Sequence, residues 1–379
     1  MKNFSRKLAT GNPDNPKDTS TRGPMDEPNS SSSIDKTAES FRYYAATVYP
    51  CGSPLYASLA VRVAEDPELL GVAAQAWEKN ALPNLFFGAV HFLLLKGERH
   101  QVAAFYPSLN NASRHDDYVY PYFRSFVLER KNEIAEIITT HSVQTNEVGR
   151  CAALIPAFEL VARQGENRPL ALIEIGSSAG LTLLWDHYHY RYDENLQCGP
   201  PNSPVQIECQ LRGGKRPPVP NRFPEIASRL GVDLNPLDLN DSESVQWLRA
   251  LVWPEQRKRA NQLERAIAVA RQDPPQIIRG DALELLPSLV DRVRSGFHLC
   301  VFHSFTLSLA SGKDRERLES LLAKVSEKRN LFQISLEWAK SSETPLLTLA
   351  SFNGGAKTEK ILAKSQPHGE WLEWLSDSE

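Results

Sequence analysis

The residues whose types and spacing could do chemistry centre on Gly176-Ser177-Ser178-Ala179-Gly180. The pentapeptide follows a short apolar run, Leu170 to Ile175, in which Glu174 is the one acid. A second apolar stretch, Leu181 to Leu184, comes after it. Strand, tight loop and helix in that order open an α/β sheet unit. Two chemistries fit the loop. As G-x-S-x-G it can raise Ser178 as a nucleophile, with Asp233 or Asp281 as the acid and His368 as the base, in that chain order. As a glycine loop it can bring backbone N–H groups under a nucleotide-like ligand, Gly176 and Gly180 permitting the close approach.

Three features weigh against the serine. The chain upstream reads as helical, whereas a nucleophile elbow follows a central strand with other strands before it. No H-G-G-G oxyanion segment precedes the loop. Glu174 would have no task. The ligand reading uses more of the sequence. Asp233 ends a second strand signal, where an acid can accept from ribose hydroxyls, and Asp281 ends a third. The interval from Gly176 to Asp233 far exceeds the ~20 residues of dinucleotide folds, and the loop has no third glycine two residues on. Glu174 would repel a pyrophosphate but favour a cationic ligand.

The elements that must position these residues fall into three parts. Residues 1–35 carry almost no apolar side chains and are expected to be a disordered leader, with Met25 an alternative start. Residues 38–164 show apolar positions at three-and-four spacing, an all-helical N-terminal cap. Ser53 before Pro54 reads as an N-cap, and Pro83 and Gly97 bracket another helix. Its last helix, Ala152 to Val161, is apolar enough to pack on the sheet. The head before it, Gln144, Thr145, Asn146, Glu147 and Arg150, either caps that helix or overhangs the ligand loop. Residues 165–379 alternate strand and helix, an α/β domain with a doubly wound, mostly parallel sheet. An insertion at about 187–224 interrupts it, and a C-terminal antiparallel hairpin turning at Asn353-Gly354 closes it.

In the insertion, His187, His189 and Arg191 alternate with Tyr188, Tyr190 and Tyr192. Two such histidines could hold a metal, but no third ligand is near, so a solvated face is expected and no metal is assigned. Arg257-Lys258-Arg259 reads as a solvated helix face.

Composition narrows the function. The chain of 379 residues is 41% hydrophobic and 23% charged, with a formal net charge of -3. That balance gives no basic field for nucleic acid or an anionic membrane. Five scattered cysteines without a C-x-x-C pair fit reduced thiols. No apolar run nears the ~18 residues of a membrane span, and no secretory h-region follows Lys2, Arg6 and Lys7. A cytoplasmic protein is expected. Its oligomeric state is open.

Glu174-Ile-Gly176-Ser-Ser178-Ala-Gly180 resembles motif I, E/D-x-G-x-G-x-G, of class I S-adenosylmethionine-dependent methyltransferases, which are Rossmann-like. GVDLNP is similar to their second-strand motif and IIRGDALEL to their third. The whole chain from about residue 38 also resembles a large uncharacterised bacterial and fungal family. VQTNEVGR (143–150), EIGSSAGL (174–181), DLNP (233–236), VWPEQ (252–256), VFHS (301–304) and PHGEW (367–371) carry that likeness.

The methyltransferase resemblance implies roles. Glu174 would sit near the cofactor's amino-acid portion, with Gly176, Ser178 and Gly180 forming the loop. Asp233 would hold the ribose, and Asp281 with the small Ala282 the adenine. Many members have glycine where this chain has Ser178. His303, after the fourth strand, is the first candidate base and His368 the second. Gln144, Asn146, Glu147 and Arg150 would form a lid, with Asp186 and Tyr190 lining the same pocket. The function so implied is methylation of a small molecule from S-adenosylmethionine. A non-catalytic or regulatory module on the same fold and a Ser178 hydrolase are the alternatives.

Overall fold

The computed structural model describes residues 30–110, 118–164, 168–339 and 342–377. The expected leader, Met25 included, lies outside the described residues up to position 29. Its final part does not, because helix α1 (Ser30–Tyr43) already runs through the serines at 30 to 33. Thr37 and Phe41 on α1 are buried, and Thr37 Oγ1 donates to Ser33 O at 2.8 Å. Burial of this face carries the helix back past residue 35 despite its polar composition.

The cap continues with α2 (Pro54–Val63), α3 (Pro67–Ala73), α4 (Leu82–Leu95), α5 (Val119–Glu129) and α6 (Lys131–Thr140). Ser53 caps α2, its side chain accepting from Tyr56 N with Pro54 beside it. Phe41, Tyr49, Tyr56, Phe86, Phe87 and Phe123 fill the cap's core, Tyr56 stacked on Phe87 at 4.6 Å. Next comes α7 (Cys151–Gln164), whose apolar residues join the sheet's core instead. The divide between the halves therefore falls between α6 and α7, earlier than the expected 164.

The sheet half holds β1 (Leu170–Ile175), β2 (His189–Arg191), β3 (Gln197–Cys198), β4 (Gln206–Glu208), β5 (Gln210–Arg212) and β6 (Ile226–Asp233). Helices α8 (Ser242–Ala250) and α9 (Arg257–Gln272) follow, then β7 (Gln276–Arg279), α10 (Ala282–Arg292) and β8 (His298–Ser304). The chain ends through α11 (Gly312–Ser326), β9 (Leu331–Glu337), β10 (Leu346–Asn353), β11 (Ala356–Ser365) and β12 (Trp371–Trp374). The fold is mixed α/β, its main sheet mostly parallel.

Nine strands lie in the order β5-β12-β11-β10-β9-β8-β1-β6-β7. From β7 to β9 all neighbours are parallel, and β9 to β12 are antiparallel. The antiparallel turn is Gly354-Gly355, one residue later than expected, both at positive φ. Both faces of the sheet are covered, by α7 and α9 on one side and by α10 and α11 on the other. That double cover explains why β1 and β8 are buried along their whole length. After β1 the chain builds outward through β6 and β7, then crosses back to β8. Such a reversal leaves a crevice at the carboxyl ends of β1 and β8.

The insertion forms a small sheet in the order β3-β2-β4. Tyr188, Tyr190 and Tyr192 are buried there, as their alternation predicts. His187 sits 3.5 Å from Asp273, and His189 faces Gly199 O at 3.4 Å. The stretch after Gly180 departs from expectation. Leu181–His187 is 3₁₀ with a break at Leu184 (φ -96, ψ 23), not an α-helix.

The VWPEQ segment fastens the cap to the sheet. Glu255 accepts from Ser53 Oγ at 2.7 Å and from Leu55 N at 2.9 Å. Trp253 Nε1 donates to Asn84 Oδ1 at 3.2 Å, and Gln256 Nε2 to Gly52 O at 3.2 Å. Trp247 of α8 inserts into the cap's core against Phe92 and donates Nε1 to Ser142 O at 3.0 Å. Trp247→Ala is expected to cost about 3–5 kcal/mol, the range for deleting a buried aromatic, seen as a lowered urea midpoint.

Candidate functional site

Glu174 is the second-to-last residue of β1, with only 2% of its surface exposed. Thr182 Oγ1 donates to its Oε1, while Oε2 has no partner among the described residues. Burial, reinforced by the nearby charge of Asp233, pushes its carboxyl up to about 8 against weaker pulls from Thr182 and Arg150. The loop that follows turns through left-handed residues at Gly176 (φ +72), Ser178 (φ +52) and Gly180 (φ +74). A side chain at Gly176 would strike Thr306, its Cβ falling 2.2 Å from Thr306 Oγ1.

The loop is held from below by its own protein. Gly176 N and Ser177 N donate to Val232 O, and Gly180 N to Ser177 O. Ser178 N donates to Asp233 Oδ2 at 2.8 Å. Asp233 Oδ1 accepts from Asn235 N at 2.8 Å and Gln144 Nε2 at 3.1 Å. Asp233 thus braces the loop, keeping about one of its roughly four acceptor positions for anything else. Leu181 N donates to Asn146 Oδ1 at 2.7 Å, so Asn146 caps the 3₁₀ turn. Asp281 caps α10 through Leu283 N at 2.8 Å, and Ala282 is the first residue of that helix.

Glu147 and Arg150 are buried at the other end of the head. Glu147 caps the 3₁₀ turn Val148–Arg150 through Gly149 N and takes Arg259 Nε on Oε2 at 2.6 Å. Burial pushes the Glu147 carboxyl up, but Arg259, with smaller help from Arg150, brings it below the usual carboxylate range. Arg150 donates Nε to Pro367 O at 3.0 Å and Nη1 to Ser304 O at 3.5 Å, and its guanidinium stacks over Phe305 at 4.3 Å. Burial lowers it to about 10. His368 lies with Nδ1 3.7 Å from Glu147 Oε2, in contact but beyond hydrogen-bond reach. Burial, with the charge of Arg259, depresses its ring to about 3, so it is neutral. The turn carrying it presses backbone to backbone on the head. A Cβ at Gly149 would lie 2.2 Å from His368 O, and one at Gly369 would lie 2.0 Å from Gly149 O.

His303 is fully buried. Its Nδ1 bonds Glu337 Oε1 at 2.8 Å and its Nε2 meets Gln333 Nε2 at 3.1 Å. An amide nitrogen only donates, so Nε2 accepts from Gln333 and Nδ1 donates to Glu337. Glu337 is the residue that His303 serves. It also accepts from Thr306 N, Leu307 N, Ser308 N and Ser308 Oγ, all between 2.6 and 3.0 Å. Burial pushes its carboxyl up, but the bond from His303, with smaller help from Ser308 and Leu307, holds it below the usual range. The loop so pinned crosses to β1, where Thr306 Oγ1 donates to Ile175 O at 3.1 Å.

Two expected pocket residues lie elsewhere. Tyr190 is wholly buried, its hydroxyl on Trp185 O at 2.6 Å. Asp186 pairs with Arg229 and borders a separate cavity beside His187 and Val269. Arg259, expected on a solvated face, is instead buried on the inward side of α9, while its neighbours Arg257 and Lys258 point outward. Glu337 gave no sequence signal beyond being an acid at a strand end, the same signal that singled out Asp233.

The head therefore joins all the segments around it. Gln144 reaches the DLNP segment, Asn146 the glycine loop, Arg150 both VFHS and PHGEW, and His368 packs edge-on against Trp253 of VWPEQ at 6.0 Å. The family model described as an uncharacterized protein conserved in bacteria (DUF2332) matches residues 38–374. The chain belongs to this family. The match takes in the cap, the sheet and the closing hairpin of this DUF2332 chain. No curated protein sequence matches it. Among the described residues, no helix is long and apolar enough to cross a membrane.

The buried acid and the buried base give stability opposite slopes with pH. Glu174 keeps its proton to about 8 when folded, against ~4.3 unfolded. It costs stability increasingly as pH rises between those values, and Glu174→Gln should gain most at pH 8. His368, at about 3 folded against ~6.5 unfolded, costs stability as pH falls below 6.5. His368→Gln should flatten that acid limb in urea melts taken from pH 4 to 7, leaving the contribution of His91, likewise lowered to about 4 by burial.

Proposed function

We propose that the chain is a Rossmann-like S-adenosylmethionine-dependent methyltransferase with a small-molecule acceptor. The observation that carries this reading is Glu174, a buried carboxyl with one unpartnered oxygen beside a left-handed glycine loop. A cationic amine would satisfy that oxygen and ionise the acid, and the amino-acid end of S-adenosylmethionine offers one. The sheet supports it, since β7-β6-β1-β8-β9 reproduces the first five positions of the 3-2-1-4-5-6 order of nucleotide-binding folds.

When bound, the sulfonium supplies an electrophilic methyl group, whose in-line transfer depends on positioning. In this chain Asp233 fixes the loop through Ser178 N and keeps limited capacity for a ribose hydroxyl. Asn146 and Gln144 hold the loop and strand end in register. Arg150 balances the charge of Glu174 once that acid ionises. His303 positions the loop around Thr306 through Glu337, and His368, lowered to about 3 by burial, accepts a proton poorly near neutrality, so the reading assigns no base. Ser178 at positive φ would also suit a nucleophile elbow, but its hydroxyl meets no histidine among the described residues.

Calorimetric titration of the full chain with S-adenosylmethionine tests the reading. Affinity should rise about tenfold per pH unit below 8 as Glu174 loses its proton, then fall above ~8 as the ligand's α-amino group loses its charge. Glu174→Gln should weaken binding and abolish the rising limb. Absence of binding at millimolar ligand across that range overturns the proposal.

A further inference from the structure

A cavity of about 550 Å³ opens between the insertion, α9 and the turn after β11. That volume suits a small ligand. Of its lining, only His368 is a residue the methyl-transfer resemblance singled out.

Its inner wall holds a paired guanidinium with unused donors. Arg259 is 8% exposed and spends Nε on Glu147. Its two terminal nitrogens meet no acceptor among the described residues, yet neither is sealed from solvent. The side chain lines this cavity and, on its other side, a much smaller one beside Thr145 and Leu248. Gln262 stands beside it on α9, its Nε2 held by Gln206 O at 2.8 Å and its Oε1 left open.

The mouth carries the opposite sign. Arg191 and Lys258 are both paired with Glu208, and Asp193 with Arg216 at 3.0 Å. Glu194 and Glu370 are exposed, and their carboxylates have no partner among the described residues. The unpartnered groups are thus the terminal donors of the Arg259 guanidinium inside and two carboxylates at the rim. A fork of that shape matches a planar carboxylate with two parallel hydrogen bonds. The acidic rim opposes phosphates and other polyanions and attracts an amine.

We propose that this cavity binds a small zwitterion of the amino-acid type, carboxylate on Arg259 and amine toward Gln262, Glu194 and Glu370. The inference does not use the cofactor reading, and its test contains no S-adenosylmethionine, so either can fail alone.

The full chain is titrated calorimetrically with L-alanine, L-glutamine and L-glutamate, with L-alaninamide and L-glutaminamide, and with inorganic phosphate. At least one free amino acid should bind saturably, and the amides and phosphate should not. Arg259→Lys keeps the charge beside Glu147 but loses the fork, and should weaken binding at least about tenfold. The surface double variant Glu194→Gln/Glu370→Gln, which touches no internal bond, should weaken it severalfold and decides the matter should Arg259→Lys not fold. No amino acid binding up to about 20 mM, equal binding of acid and amide, or unchanged binding in a folded variant overturns the proposal.

Discussion

The buried pair Glu147–Arg259 is the contact on which the rest of the site depends. Removing one partner from such a pair leaves a buried charge uncompensated, at roughly 3–5 kcal/mol. The pair nails the 143–150 head to α9, and the head's other side chains then have fixed stations. Asn146 caps the turn after the glycine loop, Gln144 reaches the end of β6, and Arg150 bridges β8 to the closing hairpin. None of these is a strong bond alone. Together they convert one desolvated ion pair into the placement of a loop, a strand end and a turn.

A second carboxylate organises the opposite side. Glu337 gathers the amides of residues 306 to 308 and the ring of His303. It settles the loop after β8 against the end of β1, so the crevice at the strand reversal is shaped by polar satisfaction from both sides. Glu174 is the exception in this neighbourhood. Its acceptors are half used, and the cost of that shows in its retained proton.

The sequence made the strands legible because they are apolar runs ending in acids or turn residues, a pattern that survives without tertiary context. The alternating tyrosines around β2 and the Ser53-Pro54 cap were legible for the same reason. What stayed hidden was set by contacts distant in sequence. α1 reaches back into polar serines because Phe41 and Thr37 are buried by helices that follow. Arg259 sits in a basic run whose members look alike until α9 is docked. His303 carries the residue type of a base, but its environment makes it a brace. VWPEQ, quoted only as a family signature, turned out to fasten the two halves.

Gly149 and Gly369 meet backbone against backbone, over two hundred residues apart along the chain. Most tight contacts can be relieved by a neighbour changing rotamer. Here the obstructing atoms are carbonyl oxygens and peptide carbons, which have no rotamers to change. No second substitution on either side can therefore make room for a first. The seam between the head and the hairpin turn thus constrains both glycines together, while the side chains around it have room to vary and to retune what the adjoining cavity accepts.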